Sequence, residues 1–444
     1  MIMNKITKKI KLFLAIAVAC TEIFVLTGGS LYGAVSDGTR FEELYKGAVH
    51  RENKYVYIQD EWQPVGEELE YIKSEVYSRE ADKHSFSSVA YENDIQTDEA
   101  IENLINSMSL SEKIYQMMFV APESITGVGV VTRAGETTKN ALKRYPVGGI
   151  IYFANNIVDR NQTMEMISNS QNYSSIPLFI AVDEEGGIVS RLGSKPHMGT
   201  TKHPPMRTIG DEGNFEKAYN IGKTLAKELG ELGFNVDFAP DADVITNPLN
   251  KEIGSRSFGT DSDLVAQMVK NVVRGIQDNG LSAAVKHFPG HGSTQVDTHT
   301  GYSESLRTLD ELRANEFLPF KAGIECDVDF VMVSHMTAVN VVKEKLPSSI
   351  SKEIITDLLI NELGYDGIVI TDSFSMGAIV KEYTTARASV MAVNAGVDMI
   401  LMPANIDEAH NAILSAVNSG EITIDRIDSS VRKILTLKKK KGMI

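Results

Sequence analysis

A lysine, three histidines and an aspartate crowd into one short stretch, Lys286-His287-Phe288-Pro289-Gly290-His291-Gly292 followed by Asp297-Thr298-His299. Pro289 and Gly290 break helical geometry, and Gly292 adds a permissive position. The apolar residues 281–285 just before the stretch read as a buried strand. Titratable groups therefore gather on a loop leaving a strand end, which is where an α/β enzyme keeps its chemistry. Lys286 and His287 would face opposite ways in a continuing strand, but in a turn both can line a pocket. The spacing of Asp297 and His299 on an extended loop lets the carboxylate reach Nδ1 and leaves Nε2 pointing outward. Such a carboxylate fixes the tautomer and raises the imidazole pKa, giving an acid–base group near neutral pH. Taken singly, a pair of this kind is more often just solvated.

Two more strand ends carry chemistry. The apolar run 178–182 ends in Asp183-Glu184-Glu185-Gly186-Gly187, with Arg191 soon after. The glycines let the backbone approach a ligand, Asp183 can accept from sugar hydroxyls and Arg191 can donate to them. The run 367–370 ends in Thr371-Asp372-Ser373-Phe374-Ser375-Met376-Gly377. A lone carboxylate closing an apolar strand is placed to act as nucleophile or base, or more plainly as a helix cap. Arg256, in Gly254-Ser255-Arg256, would by itself be read as a surface ion pair. His335 ends a neighbouring strand and is expected to line the same mouth.

These groups need a scaffold that brings strand ends together. Apolar runs at 149–153, 178–182, 236–239, 283–285, 330–333, 367–370 and 399–402 alternate with helical stretches at 215–232, 261–279, 309–325, 351–363 and 384–395. Helices are also expected around residues 101–108 and at 112–117, the latter capped by Ser109 or Ser111. This alternation predicts an α/β fold, a (β/α)8 barrel forming a single catalytic domain over residues 97–444. An open doubly wound sheet is the alternative, but no glycine-rich dinucleotide fingerprint follows the first strands. Residues 34–96 read as an N-terminal extension or linker, with one short strand at 55–58. Residues 1–33 combine four lysines, a short apolar core and a small-residue exit, the layout of a secretory signal peptide. The expectation is a secreted or surface-associated protein touching the membrane only through that leader, either cleaved or kept as an anchor. The chain has two cysteines, Cys20 and Cys326; with the leader removed, Cys326 has no partner and is expected to be a buried small residue. With 59 acidic and 44 basic residues among 444, a net charge of -15 argues against nucleic acid as a partner.

As an ordered set, the motifs at 183–187 with Arg191, 254–259, 286–292, 297–299 and 371–376 resemble glycoside hydrolase family 3, and within it the single-barrel β-N-acetylhexosaminidases of bacterial cell-wall recycling. The resemblance covers about residues 98–440. The family pattern usually has Gln where this chain has Glu184, and Arg where it has Ile188. Carried over residue by residue, it implies that Asp372 is the nucleophile, His299 the general acid/base and Asp297 its orienting partner. Asp183, Arg191, Arg256, Lys286 and His287 become sugar contacts. It implies a retaining enzyme that releases terminal N-acetylglucosamine from a carbohydrate substrate such as a peptidoglycan fragment, working as a monomer with no cofactor and no metal.

Other readings compete. Asp183 and Glu184 could act as an adjacent carboxylate pair in substrate-assisted hydrolysis. His287, His291, Asp297 and His299 could ligate a metal, although Pro289 and Gly290 rule out a helical clamp. β-Glucosidase activity, phosphorolysis, or a non-catalytic cell-wall binding role complete the alternatives. Phosphate enters because many members of the resembled family use a glutamate as acid/base, and a histidine in its place lowers the negative charge beside the intermediate.

Overall fold

The computed structural model describes residues 99–294 and 303–444, together with the backbone of Tyr55–Ile58 and Glu61–Pro64. The chain divides into two compact units at 97/98. In the first unit the expected strand Tyr55–Ile58 pairs antiparallel with Glu61–Pro64. The leader, Cys20, Asp297 and His299 all lie outside the described residues.

The second unit is a parallel barrel. Its strands in chain order are β1 (Met118–Val120), β2 (Gly149–Ile151), β3 (Phe179–Val182), β4 (Val236–Asp237), β5 (Ser282–Phe288), β6 (Phe330–Val333), β7 (Ile368–Thr371) and β8 (Ile400–Leu401). They neighbour one another in that order, and β8 pairs back onto β1. A bridge between Ile370 and Met399 joins β7 to the approach to β8 and closes the ring. Short strands buried on both sides are what a barrel wrapped by helices requires. Phe119, Phe179 and Phe330 from three strands, with Phe238 just past β4, pack together, with centroids 5.3 Å apart for Phe119–Phe238 and Phe179–Phe330. These rings fill the barrel, so it is a packed core and not a channel.

Seven of the eight strands fall on the apolar runs read from sequence; β1 does not. It is three residues long and follows a seven-residue helix, Leu110–Gln116, almost without a gap, so no turn signal separates the two. That helix is capped by Ser109, in a reciprocal capping box with Glu112. The expected single helix at 309–325 is two, Leu309–Ala314 and Phe317–Ile324. The break lies at Asn315 and Glu316, where the buried Glu316 carboxylate turns inward to accept from Thr246 Oγ1 at 2.9 Å. Pro319 then sits in the first turn of the second helix, where its missing N–H costs nothing. Cys326 is half-buried and packs against the core.

The floor of the barrel holds an unusual charge. Lys438, from the C-terminal helix Ile424–Lys440, is fully buried; its Nζ donates to Gln116 Oε1 at 2.8 Å and lies 5.1 Å from the Phe179 ring centroid. Burial pulls its pKa down to about 7. Because the folded pKa is depressed, the unfolded chain binds the proton more tightly from about pH 7 to 10, and stability rises with pH across that window. Lys438→Met removes this cost but strands the Gln116 acceptor. A net gain of roughly 1–3 kcal/mol at pH 7 is expected. Denaturant titrations should show the gap between variant and parent narrowing from pH 7 to 10; a widening gap would refute the neutral-lysine account.

Candidate active site

The C-terminal ends of β3, β4, β5 and β7 deliver the site. The loop after β3 turns through Gly186 and Gly187, whose φ values of 96° and 57° belong to the left-handed region. Opposite it, a side chain at Gly292 would come within 1.9 Å of the Val244 carbonyl oxygen, so only glycine lets the loop after β5 approach the loop after β4. β5 runs further than its apolar core, through Phe288, and its pairing with β6 slips between Lys286 and Phe288. The Lys286–His287 peptide is cis. Both side chains enter the same cluster, as expected for a local departure from the pleat.

Lys286 is the hub. Its Nζ lies 2.7 Å from Asp183 Oδ1 and 2.7 Å from Glu185 Oε1. Glu185 in turn accepts a fork from Arg256, Nε to Oε2 at 2.9 Å and Nη2 to Oε1 at 2.8 Å. Such paired, planar bonds are the strong form of a charged contact. Burial opposes the charge on Glu185, but Arg256 and Lys286 outweigh it and hold the carboxyl well below the usual range. Burial likewise works against the charges on Lys286 and Arg256, and their acidic neighbours overcome it and raise both pKa values. The Asp183 side chain is partly open, and Arg191 Nη2 stands 3.9 Å from its Oδ2. Asp183, Arg191, Arg256, Lys286 and His287 are thus brought together. The Arg256 ion pair is buried, not superficial.

His287 sits deeper. Its Nδ1 is 2.8 Å from Asp243 Oδ2, and Arg256 Nη2 is 3.3 Å from its Nε2. Burial and then Arg256 depress its pKa, while Asp241 and Asp372 act in the opposite sense. Asp372 follows β7; its N–H donates to the Val333 carbonyl at 2.8 Å, and its Oδ1 accepts from Ser373 N–H at 2.7 Å. His335 follows β6 beside the Asp372 loop. His335 is buried beneath the Asp372 loop, with Nε2 donating to the Ser373 carbonyl at 2.8 Å and Nδ1 meeting Ser349 Oγ at 2.7 Å.

The adjacent-carboxylate reading fails on geometry. Glu184 points away from Asp183 and accepts from the backbone N–H groups of Arg191, Leu192 and Gly193 at 2.6, 2.9 and 3.1 Å, and from Ser190 Oγ at 2.5 Å. A carboxylate holding four donors shapes the Arg191 loop and has no lone pair to spare for substrate. Of the metal quartet, Asp297 and His299 lie outside the described residues, so only His287 and His291 can be placed. The His287 and His291 rings are 6.2 Å apart, and His291 turns its Nε2 to Glu252 at 3.5 Å. The donor set that does converge is Asp241, Asp243 and His287, within 4.8 Å of one another, but Arg256 Nη2 already stands 3.4 Å from Asp241 Oδ2.

Three residues of the cluster were not singled out from sequence: Glu185, Asp241 and Asp243. Their signal was available. Asp241 and Asp243 punctuate the otherwise apolar run 238–245, and a carboxylate in such a run needs a partner.

Comparison with known proteins fixes the family. The model of the glycosyl hydrolase family 3 N-terminal domain matches residues 109–437. The chain belongs to glycosyl hydrolase family 3. Among relatives of this family, Beta-hexosaminidase A of Pseudoalteromonas piscicida is 32% identical over 324 residues, covering 67% of this chain and 54% of that protein. A Beta-hexosaminidase of Nitrosomonas eutropha is 32% identical over 304 residues, covering 67% of this chain and 85% of that one. A solved family 3 β-N-acetylglucosaminidase from Paenibacillus sp. is similar with a TM-score of 0.71 at 37% identity, covering 76% of this chain and 63% of that one. The chain therefore spans little more than half of the first relative and under two thirds of the last.

Proposed function

We propose that this family 3 protein is a retaining exo-β-N-acetylhexosaminidase that releases terminal N-acetylglucosamine from glycosides such as peptidoglycan fragments. The observation that carries this reading is a shared end of the barrel: Asp372 follows β7 on the same C-terminal side where β3 and β5 deliver Asp183, Glu185, Lys286 and His287, with Arg256 bonded to both Glu185 and His287. A nucleophilic carboxylate thus stands beside a cluster of charged donors and acceptors suited to sugar hydroxyls. The relatives carrying hexosaminidase names support the choice of sugar. Asp183, Arg191, Arg256 and Lys286 bind the terminal sugar, and His287 completes that pocket through its bond to Arg256. The basic head and apolar core of residues 1–33 support export to the cell-wall side.

The reaction runs in two displacements. Asp372 attacks the anomeric carbon as the bond to the aglycone breaks, and His299, oriented by Asp297, gives its proton to the leaving oxygen. Water then attacks the same carbon, His299 takes its proton, the ester to Asp372 breaks and the configuration is retained. Full-length protein assayed on chromogenic β-glycosides should prefer the N-acetylglucosaminide over the glucoside, with free sugar as product even when phosphate is added. Preference for the glucoside would favour the β-glucosidase alternative, and a sugar phosphate product the phosphorylase. His299→Ala is expected to lose about 100- to 10,000-fold on poor leaving groups and far less on a very acidic phenol. Equal losses on both would contradict the acid/base role.

A further inference from the structure

Behind the sugar-facing side chains lies a layer of buried acids. Asp241 and Asp243, on the loop after β4, are both fully buried. Asp243 uses both its oxygens: Oδ2 meets His287 Nδ1 at 2.8 Å, and Oδ1 accepts the His291 backbone N–H at 2.5 Å. At the other ring nitrogen, Arg256 Nη2 stands 3.3 Å from His287 Nε2. A guanidinium can only donate. Nε2 must therefore be the acceptor, and the ring proton sits on Nδ1, aimed at Asp243.

We propose that Asp243 is a positioning residue that fixes His287 as the neutral Nδ1–H tautomer, so that Nε2 receives Arg256 and helps hold its guanidinium square against Glu185. The inference rests on the glycosidase reading for its kinetic consequence only; the tautomer is independent of it. An uncharged imidazole also leaves the nearby Asp372 carboxylate without a competing cation at this position.

The acceptor count makes the role specific to a carboxylate at 243. Asparagine offers one acceptor where two are needed. The bond from the His291 backbone is the shorter of the two, and its donor is fixed by the chain, so the amide carbonyl stays there. The amide N–H then faces the imidazole, drives the proton to Nε2 and sets it against a guanidinium N–H. Asp241 differs. Its Oδ1 accepts from the Asp243 N–H at 2.9 Å, and its Oδ2 has no hydrogen-bond partner, with Arg256 Nη2 at 3.4 Å. Burial, and then Asp243, push its carboxyl well above the usual range. It can carry a proton, and asparagine there keeps the one acceptor that the Asp243 amide needs.

The test is long-range proton–nitrogen correlation NMR on full-length protein with 15N-labelled histidine at pH 7, the His287 signals assigned by their loss in His287→Asn. In the parent and in Asp241→Asn, His287 should be neutral with its proton on Nδ1. In Asp243→Asn the proton should move to Nε2, and kcat/KM on the preferred aryl glycoside should fall about 10- to 100-fold, mainly through KM. An Nε2–H tautomer or an imidazolium in the parent overturns the proposal. So does an Nδ1–H signal that persists in Asp243→Asn, whatever its activity, or one that is lost in Asp241→Asn. Should Asp243→Asn fail to fold by circular dichroism, the parent and Asp241→Asn spectra still decide. If the parent hydrolyses no glycoside, the glycosidase reading falls while the tautomer result stands.

Discussion

Asp372→Ala is expected to lower turnover by roughly 10,000-fold or more, the scale on which removal of a covalent nucleophile is felt, while the protein keeps its fold. The expectation comes from how the loop is built. The Asp372 N–H is bonded to the Val333 carbonyl at 2.8 Å, and the Phe374 N–H to the Leu401 carbonyl at 2.9 Å. His335 supports the Ser373 carbonyl from below at 2.8 Å. Of the bonds that hold this turn, the carboxylate makes the one from the Ser373 N–H at 2.7 Å, so its removal takes away the chemistry and that one bond while the backbone ties remain. Leaving-group acidity should not rescue this variant, because both displacements pass through the missing oxygen. Steady-state kinetics on an aryl glycoside, with thermal melting as the check on folding, reads the result. Retention of a tenth of the parent turnover would be incompatible with a nucleophile at this position.

Lys286→Met should damage both stability and activity. Lys286 Nζ stands between Asp183 and Glu185, 2.7 Å from each, and its side chain is only 3% exposed. Methionine matches its length but leaves a buried carboxylate without one of its two cations. Breaking a buried pair in this way costs about 3–5 kcal/mol. The loss should depend on pH with a definite sign. In the parent, the depressed Glu185 pKa contributes stability that is present above the ordinary carboxylate range and lost as pH falls through it. In the variant, the relieved carboxyl can take up a proton, so the difference between variant and parent should shrink from pH 8 towards pH 5. Denaturant midpoints across that range test this. A constant difference would mean that Lys286 acts by packing and not by charge. Activity should fall together with stability, since Lys286 orients Asp183, a proposed sugar contact, and Glu185, which holds Arg256.

Much of this arrangement was readable because barrel chemistry is local in sequence. Asp183 and Asp372 each follow a strand directly, Lys286 and His287 follow the apolar part of β5, and a period of strand then helix tells which way those strands run. Arg256 and Arg191 were placed by motif, but their partners were not, because an ion pair between residues 71 apart leaves no periodic trace. Glu185 shows the limit well. It is adjacent to Glu184 and chemically identical, yet one carboxylate anchors Arg256 and Lys286 while the other folds back on the N–H groups of residues 191–193. The turn through Gly186 and Gly187 makes that choice, and its geometry exists only once the loop has closed on its neighbours. β1 was missed for a similar reason: a three-residue strand earns its identity from the two strands beside it. Conversely, Lys438 opens a run of four lysines, 438–441, and is buried against the Phe179 ring, a position that only the packing of the last helix determines.

The central claim is a covalent bond between Asp372 and the sugar. Incubating the full-length protein with a fluorinated glycoside that carries an activated leaving group should slow the second displacement more than the first. Intact-mass spectrometry should then find the protein heavier by one fluoroglycosyl unit, and peptide mapping should place that unit on Asp372. A label on Asp183 or Glu185, or full consumption of the reagent with no adduct at any time, would contradict the account.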